Sequence, residues 1–218
     1  TFSFASYYDP RHMGVSSLRV INDDRVAPNA GFETHGHKDM EIISYVISGT
    51  IAHKDSFGNI KTLPAGEFQL MSAGKGIYHS EFNASNTEPL HFLQIWIQPD
   101  TLGIDAGYQQ KAFEQTSALT AVVTPTGENG TLKVQQDATL YRLMLAPQEQ
   151  VHMPQLKPQR QLYVQLVEGT LKVNDQVLTP GDGAHITAEE VVRFSATDSP
   201  VTALSLIHIS EPTRPERI

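Results

Sequence analysis

Residues Tyr45–Ile51 read YVISGTI, and residues Leu166–Leu171 read LVEGTL. The likeness continues downstream in the same order, where Leu63–Phe68 (LPAGEF) answers Leu178–Gly183 (LTPGDG). Each copy reads strand, Gly-Thr turn, strand, hairpin, strand and a Pro-Gly-type turn, the mark of a duplicated β unit. Outward from these copies, the runs between Gly and Pro are short and rich in β-branched and aromatic residues: Glu41–Ile47 (EIISYVI), Leu90–Ile97 (LHFLQIWI), Leu162–Val167 (LYVQLV) and Val191–Phe194. Short strands at regular spacing with turn signals predict an all-β sandwich or barrel. Asp55–Asn59 (DSFGN) and Asn174–Gln176 (NDQ) read as hairpin turns. Helical signals are sparse, and one short helix is expected over Gly107–Gln115, in a connecting segment. The repeat predicts two tandem β-barrels, split near residues 115–130.

The composition bounds what such barrels do. The 218 residues carry a formal net charge of -8, with 18% charged and 39% hydrophobic residues. A surface of that sign repels phosphate backbones and no Lys/Arg run is present, so no direct nucleic-acid partner is expected. There is no cysteine. Any metal must therefore be held by His, carboxylate and water, and the lack of disulfides leans toward a cytoplasmic protein. No apolar run approaches the roughly 20 residues of a membrane span, and no signal peptide is visible.

Of the nine histidines, three stand out by spacing, together with one glutamate. His35-Gly-His37 is an i, i+2 pair, and on a strand both imidazoles face one side. His79-Ser-Glu81 repeats the spacing with a carboxylate. Two neighbouring strands carrying such pairs bring three imidazoles and one carboxylate to a point, a donor set that suits one divalent Fe, Ni, Cu, Mn, Co or Zn ion with open positions for substrate. Fe(II) is the expected ion. Glu41 competes for the carboxylate place, but four strand residues separate it from His37 by roughly 13 Å, against about 7 Å for the two between His79 and Glu81. His53, before the DSFGN turn, is expected to be structural or at a hairpin edge, and His91 to be a satisfied strand histidine. His12, His152 and His185 have no partner legible in the sequence. Phe32, Met71, Phe92 and Trp96 are candidates for an apolar pocket wall or for core.

The C-terminal end reads differently. Leu204–Arg214 is LSLIHISEPTR, which matches the translation of a common transposase sequencing adapter. Residues 204–218, with His208, are therefore set apart as read-through rather than native chain.

Residues 1–203 resemble the pirin family of bicupins. The matching stretches are Thr1–Phe4, Leu18–Asp23, His35-Gly-His37-Lys-Asp-Met-Glu41, His53-Lys-Asp55-Ser56, Gly66–Glu81 and Gln94-Ile-Trp96. The likeness is greatest to bacterial pirin-like proteins described as quercetin 2,3-dioxygenases. It implies a double-stranded β-helix in two copies packed face to face. Residues 1–115 would form a metal-binding barrel and 116–203 a second barrel without ligands. Carried over by position, the metal ligands fall on His35, His37, His79 and Glu81. Pirins usually have Pro between the first two histidines, where this chain has Gly36. The match also starts inside a family motif, so about twenty residues are expected to precede Thr1. Aligning the two copies by their glycines sets Gln155 and Lys157 at the places of His35 and His37, and Phe194 and Ala196 at those of His79 and Glu81. One metal per chain follows.

The resemblance implies an enzyme that opens the heterocyclic ring of a flavonol such as quercetin with O2. The 3-hydroxyl of the substrate would bind the metal, Glu81 would accept its proton, and ring cleavage would release carbon monoxide and a depside. Two other readings stay open. One is a non-enzymatic, redox-sensing pirin whose metal governs docking to a protein partner; the other is an enzyme with a different substrate.

Overall fold

A computed structural model describes residues 2, 9, 13–153, 159–187 and 191–209. Among these there is no α-helix; a single 3₁₀ turn, Glu128–Gly130, interrupts nineteen strands. No helix is long and apolar enough to cross a membrane. His12 and the aligned positions Gln155 and Lys157 lie outside the described residues, as do residues 210–218.

The chain separates into two compact units. Unit 1 takes residues 1–14, 18–114 and 126–136, and unit 2 takes 15–17, 115–125 and 137–218. Unit 1 contains β1 (Leu18–Val26), β2 (Gly31–His37), β3 (Glu41–Ser48), β4 (Thr50–Asp55), β5 (Ile60–Pro64), β6 (Glu67–Ser72), β7 (Ile77–Asn83), β8 (Leu90–Ile97) and β9 (Gly107–Ala112). Unit 2 contains β10 (Leu119–Thr124), and the short β11 (Leu132–Lys133) returns to unit 1. The rest of unit 2 is β12 (Ala138–Leu145), β13 (Gln150–His152), β14 (Arg160–Glu168), β15 (Leu171–Val173), β16 (Gln176–Leu178), β17 (Gly183–Ile186), β18 (Arg193–Ala196) and β19 (Val201–Ile209).

The repeat seen in the sequence is a repeat of topology. Unit 1 has one sheet in the order β1-β8-β3-β6-β9 and another in the order β2-β7-β4-β5. Unit 2 has β12-β19-β14-β17 and β13-β18-β15-β16, the same two orders advanced by eleven strands. The paired glycines occupy equivalent backbone positions. Gly49 and Gly169 have φ of 82° and 85°, and Gly66 and Gly181 have 86° and 92°. Both are left-handed conformations that a Cβ disfavours. Each unit buries its own apolar residues, Val46, Ile51, Leu63, Leu90 and Phe92 in the first and Leu143, Leu162, Val164, Leu171 and Phe194 in the second.

Two segments depart from simple expectation. Gly107–Ala112, within the segment expected to hold a helix, is the edge strand β9, paired with β6 from Glu67↔Ala112 to Ser72↔Gly107. Ladder bonds to β6 and the side-chain bonds of Tyr108 to Gln69 and of Gln110 to Glu67 outweigh the mild helical preference of its Gln and Lys residues. The adapter-like residues 204–209 fill most of β19, between β12 and β14, with Leu204 and Leu206 buried. An apolar run of this kind suits a central strand, but His208 does not. It is fully buried with both ring nitrogens unpartnered, and burial pulls its pKa down to about 4.

The repeat glycines yield a stability test. A Cβ on Gly169 would stand 2.1 Å from the Pro200 carbonyl oxygen, whereas one on Gly181 would meet nothing within 4 Å. Gly181→Ala should cost about 1–2 kcal/mol, the strain of a left-handed Ala. Gly169→Ala should cost more than about 3 kcal/mol, because backbone must move as well. Thermal denaturation of the two variants measures this; equal losses would show that the Pro200 contact adds nothing to the left-handed strain common to both positions.

Candidate metal centre

β2 and β7 run antiparallel, with His35 opposite His79 and Phe32 opposite Glu81. Three residues of β2 thus span two of β7, a bulge between Phe32 and His35. Opposed residues point to the same face, so the extra residue puts Phe32 on the face that His35 and His37 share. Gly36, where the resemblance expects Pro, lies under the Tyr78 ring, whose nearest atom is 3.0 Å from where a Cβ would be.

Three imidazoles converge. The Nε2 atoms of His35 and His37 each lie 3.1 Å from Nε2 of His79. His35 Nδ1 donates to the Glu33 carbonyl oxygen at 2.7 Å, which leaves its Nε2 with a lone pair aimed at the cluster. Burial, helped by the His35 charge, lowers the pKa of His37 to about 4. Burial and the three neighbouring imidazoles lower that of His79 to about 3, against a small opposing pull from Asp55. Both rings are therefore neutral near pH 7, as a metal ligand must be. Nδ1 of His79 is buried without a partner. A pocket of lone pairs with too few protons, facing one another at 3.1 Å, has the donor chemistry of a cation site.

Glu81 sits beside this cluster, buried. Its ligand oxygen groups with His53 and His79, and that triplet shares His79 with the His35, His37, His79 triplet. Gln94 Nε2 donates to Glu81 Oε2 at 2.7 Å, while Ser44 Oγ and Gln69 Nε2 approach Oε1 at 3.3 and 3.4 Å. Burial pushes the Glu81 carboxyl up, and the His53 field and these hydrogen bonds oppose it without cancelling it. A dication nearby would favour the carboxylate form. Glu41 stands elsewhere: it accepts from Ser72 Oγ at 2.9 Å and from the Gln135 amide at 3.3 Å, and belongs to neither triplet.

A cavity of about 380 Å³ opens onto the cluster, lined among others by Asp24, Phe32, His35, His37, Glu81 and Trp96. Phe32 and Trp96 thus line the cavity, while Met71 and Phe92 are fully buried in the core. The Trp96 ring meets His37 edge-on at 4.9 Å, and its Nε1 donates to Gln94 Oε1 at 3.0 Å. Gln94 therefore ties the aromatic wall to the carboxylate. Asp24 was not marked by any spacing in the sequence, yet burial, reinforced by Glu81 and Asp23, pushes its pKa up to about 6. His53, expected to be structural, is fully buried and opposite Glu81 on the β4–β7 pair. His-Lys-Asp at 53–55 has the same i, i+2 spacing as the other two pairs, which was the available signal.

The remaining histidines are separate. His91 bonds to Asp23 at 2.7 Å and His185 to Gln161 at 2.8 Å. Unit 2 has a larger and more open groove of about 630 Å³ near His152, His185 and Arg193, but no metal-type cluster is found there among the described residues. Phe194 and Ala196 of β18, aligned with His79 and Glu81, are buried and apolar, and Phe194 stands opposite Val151 as His79 stands opposite His35.

Comparison with known proteins gives a consistent set. The family model described as Pirin matches residues 1–97, and that described as Quercetinase C-terminal cupin domain matches residues 121–206. A protein of Escherichia coli (strain K12) named quercetin 2,3-dioxygenase is 48% identical over 94% of this chain and 89% of its own length. A pirin-like protein of Caulobacter vibrioides is 39% identical over 90% of this chain and 86% of its own. The crystal structure of the bacterial pirin YhhW from Escherichia coli in complex with nickel(II) has a TM-score of 0.91 and 46% identity, covering 96% of this chain and 90% of that one.

The lowered imidazole pKa values fix a pH dependence. Depressed groups bind protons more readily in the unfolded chain, so their contribution is complete above the ordinary 6.5 and is lost toward the folded values of about 4 and about 3. The melting temperature of the metal-free protein should fall as pH drops from 6.5 to 4. The slope should be shallower in the double variant His37→Gln/His79→Gln, and an unchanged slope would remove this electrostatic account.

Proposed function

Because the chain belongs to the pirin family, we propose that it is a metal-dependent dioxygenase that opens the heterocyclic ring of a flavonol such as quercetin with O2 and releases carbon monoxide. One observation carries the reading: three imidazoles, of His35, His37 and His79, converge beside a cavity of about 380 Å³ whose lining includes His35, His37, the buried Glu81 and the aromatic rings of Phe32 and Trp96. That volume lies in the range of small-molecule pockets. The Escherichia coli relative named quercetin 2,3-dioxygenase supports the substrate class, and the nickel complex of YhhW supports the metal.

In this reading His35, His37, His79 and Glu81 hold one divalent ion, with Fe(II) as the proposed physiological metal and Ni(II) as a competent substitute. When bound, the ion supplies Lewis acidity toward a substrate hydroxyl and a centre at which O2 can react. The protein's own residues do the rest. Glu33, through its carbonyl, keeps His35 in the tautomer that presents Nε2. Phe32 and Trp96 clamp a planar aromatic ring and exclude water from one side of the cavity. Glu81 accepts the proton of the substrate hydroxyl at a carboxylate oxygen, a task suited to a carboxyl whose pKa burial has raised. Gln94 holds Glu81 Oε2 in place during that transfer. Asp24, on the same cavity wall, is placed to bind a second hydroxyl of a polyphenol.

Carbon monoxide is the decisive product. With protein loaded anaerobically with Fe(II), Ni(II), Cu(II) or Mn(II), addition of quercetin and O2 should release it in at least one metal form. His35→Ala should lower the rate by at least ~100-fold, and Trp96→Ala should raise KM more than it lowers kcat. Absence of carbon monoxide from every folded, metal-loaded form would overturn the proposal and leave the interaction reading, to be pursued by partner capture in the reduced and oxidised states.

A further inference from the structure

We propose that unit 1 has a second, inner position for a divalent transition-metal ion, formed by His53, His79 and Glu81 and used in alternation with the outer, three-histidine position. The strand register builds it. On the β4–β7 pair His53 stands opposite Glu81 and Asp55 opposite His79, so two i, i+2 pairs face each other directly, whereas on β2–β7 only His35 stands opposite a member of the other pair, His79. The ligand atoms of His53, His79 and Glu81 lie within 4.8 Å of one another, and the His53 and His79 rings are 5.5 Å apart.

The chemistry of each group points inward. His53 Nε2 faces Asp55 Oδ2 at 3.1 Å, so in the neutral ring that a metal ligand requires, Nε2 holds the proton and Nδ1 the lone pair. That Nδ1 is buried with no partner, and so is Nδ1 of His79. Asp55 is itself locked by donors from the Phe57 and Asn59 amides and from Asn59 Nδ2, at 2.9, 3.1 and 2.8 Å. A carboxylate that fixes the far nitrogen of an imidazole is the arrangement found behind metal-ligating histidines. Two imidazoles and one carboxylate form a ligand set typical of iron and its neighbours. Glu81 and Asp55 together match the charge of a dication, which a wholly buried position requires. Glu81 Oε1 is held only by the long contacts from Ser44 and Gln69, so it can exchange partners.

The two positions differ in exposure. His35 and His37 are partly exposed on the cavity, whereas His53, His79 and Glu81 are buried. Because His79 belongs to both triplets, and Glu81 completes the outer one in the proposed reading, one ion occupies one position at a time. The inner position is out of contact with the cavity through any group but Glu81, and an ion held there is kept from substrate. The inference concerns metal binding alone and does not depend on the dioxygenase reading.

The test is metal retention in the full chain. His35→Ala/His37→Ala, loaded with Ni(II) or Co(II) and desalted, should keep about one ion per chain, with a Co(II) absorption spectrum different from that of the parent. Adding His53→Ala should weaken this binding by at least ~10-fold, while adding His91→Ala should leave it unchanged. In the parent, His53→Ala alone should leave one ion bound. The inference is overturned if the double variant, folded by circular dichroism and melting, keeps no ion, or if it keeps one regardless of His53. Carbon monoxide release is read separately in the parent, so its failure leaves this result standing.

Discussion

The site depends on one pairing: β2 against β7, in a register that sets His35 opposite His79 and carries one extra residue before it. A one-residue slip in a strand turns every side chain to the opposite face. Shifted so, His35 and His37 would leave the cluster together. The bulge uses the same rule locally, because it brings Phe32 to the side of the histidines and so gives the cluster an aromatic wall. Once three imidazoles share a small volume, burial and mutual repulsion keep His37 and His79 neutral. The conflict among their lone pairs is what a cation resolves.

The second unit shows what the backbone alone supplies. It repeats the two sheet orders and the left-handed glycines of the first, yet the strand answering to β7 offers Phe194 and Ala196 instead of His79 and Glu81. These side chains join the apolar core of unit 2. Duplicated topology thus carries a cluster of imidazoles in one copy and additional core in the other, and the difference lies in a few inward positions on two strands. Stability and chemistry are separable here because the turn glycines fix the fold while those positions remain free to vary.

Much of this was legible in the sequence for definite reasons. Strand periodicity has a short range, so the His35-Gly-His37 and His79-Ser-Glu81 pairs could be read as shared faces, and the repeated Gly-Thr and Pro-Gly turns marked the duplication. Cross-strand register is not local, and that is where reading stopped. His53 has the same spacing to Asp55, but from sequence it reads only as structural or at a hairpin edge, because the β4–β7 pairing alone reveals that it stands opposite Glu81. Asp24 carries no spacing signal at all; its raised pKa comes from burial beside Glu81, a contact made by folding. The short helix expected over Gly107–Gln115 gives way to strand at Gly107–Ala112, because the open edge of β6, a non-local feature, decides its state.

The most direct test of the account is the position of the ion. Crystals of the iron- or nickel-loaded parent protein, measured at the metal absorption edge, give an anomalous peak whose place is independent of any assumed ligand. The account predicts that the main peak of each chain lies within ~2.0–2.3 Å of Nε2 of His35, His37 and His79 and of a Glu81 oxygen, distances usual for such ligands. A peak bonded to neither His35 nor His37 in the parent protein, or none in unit 1 at full metal occupancy in solution, would contradict it.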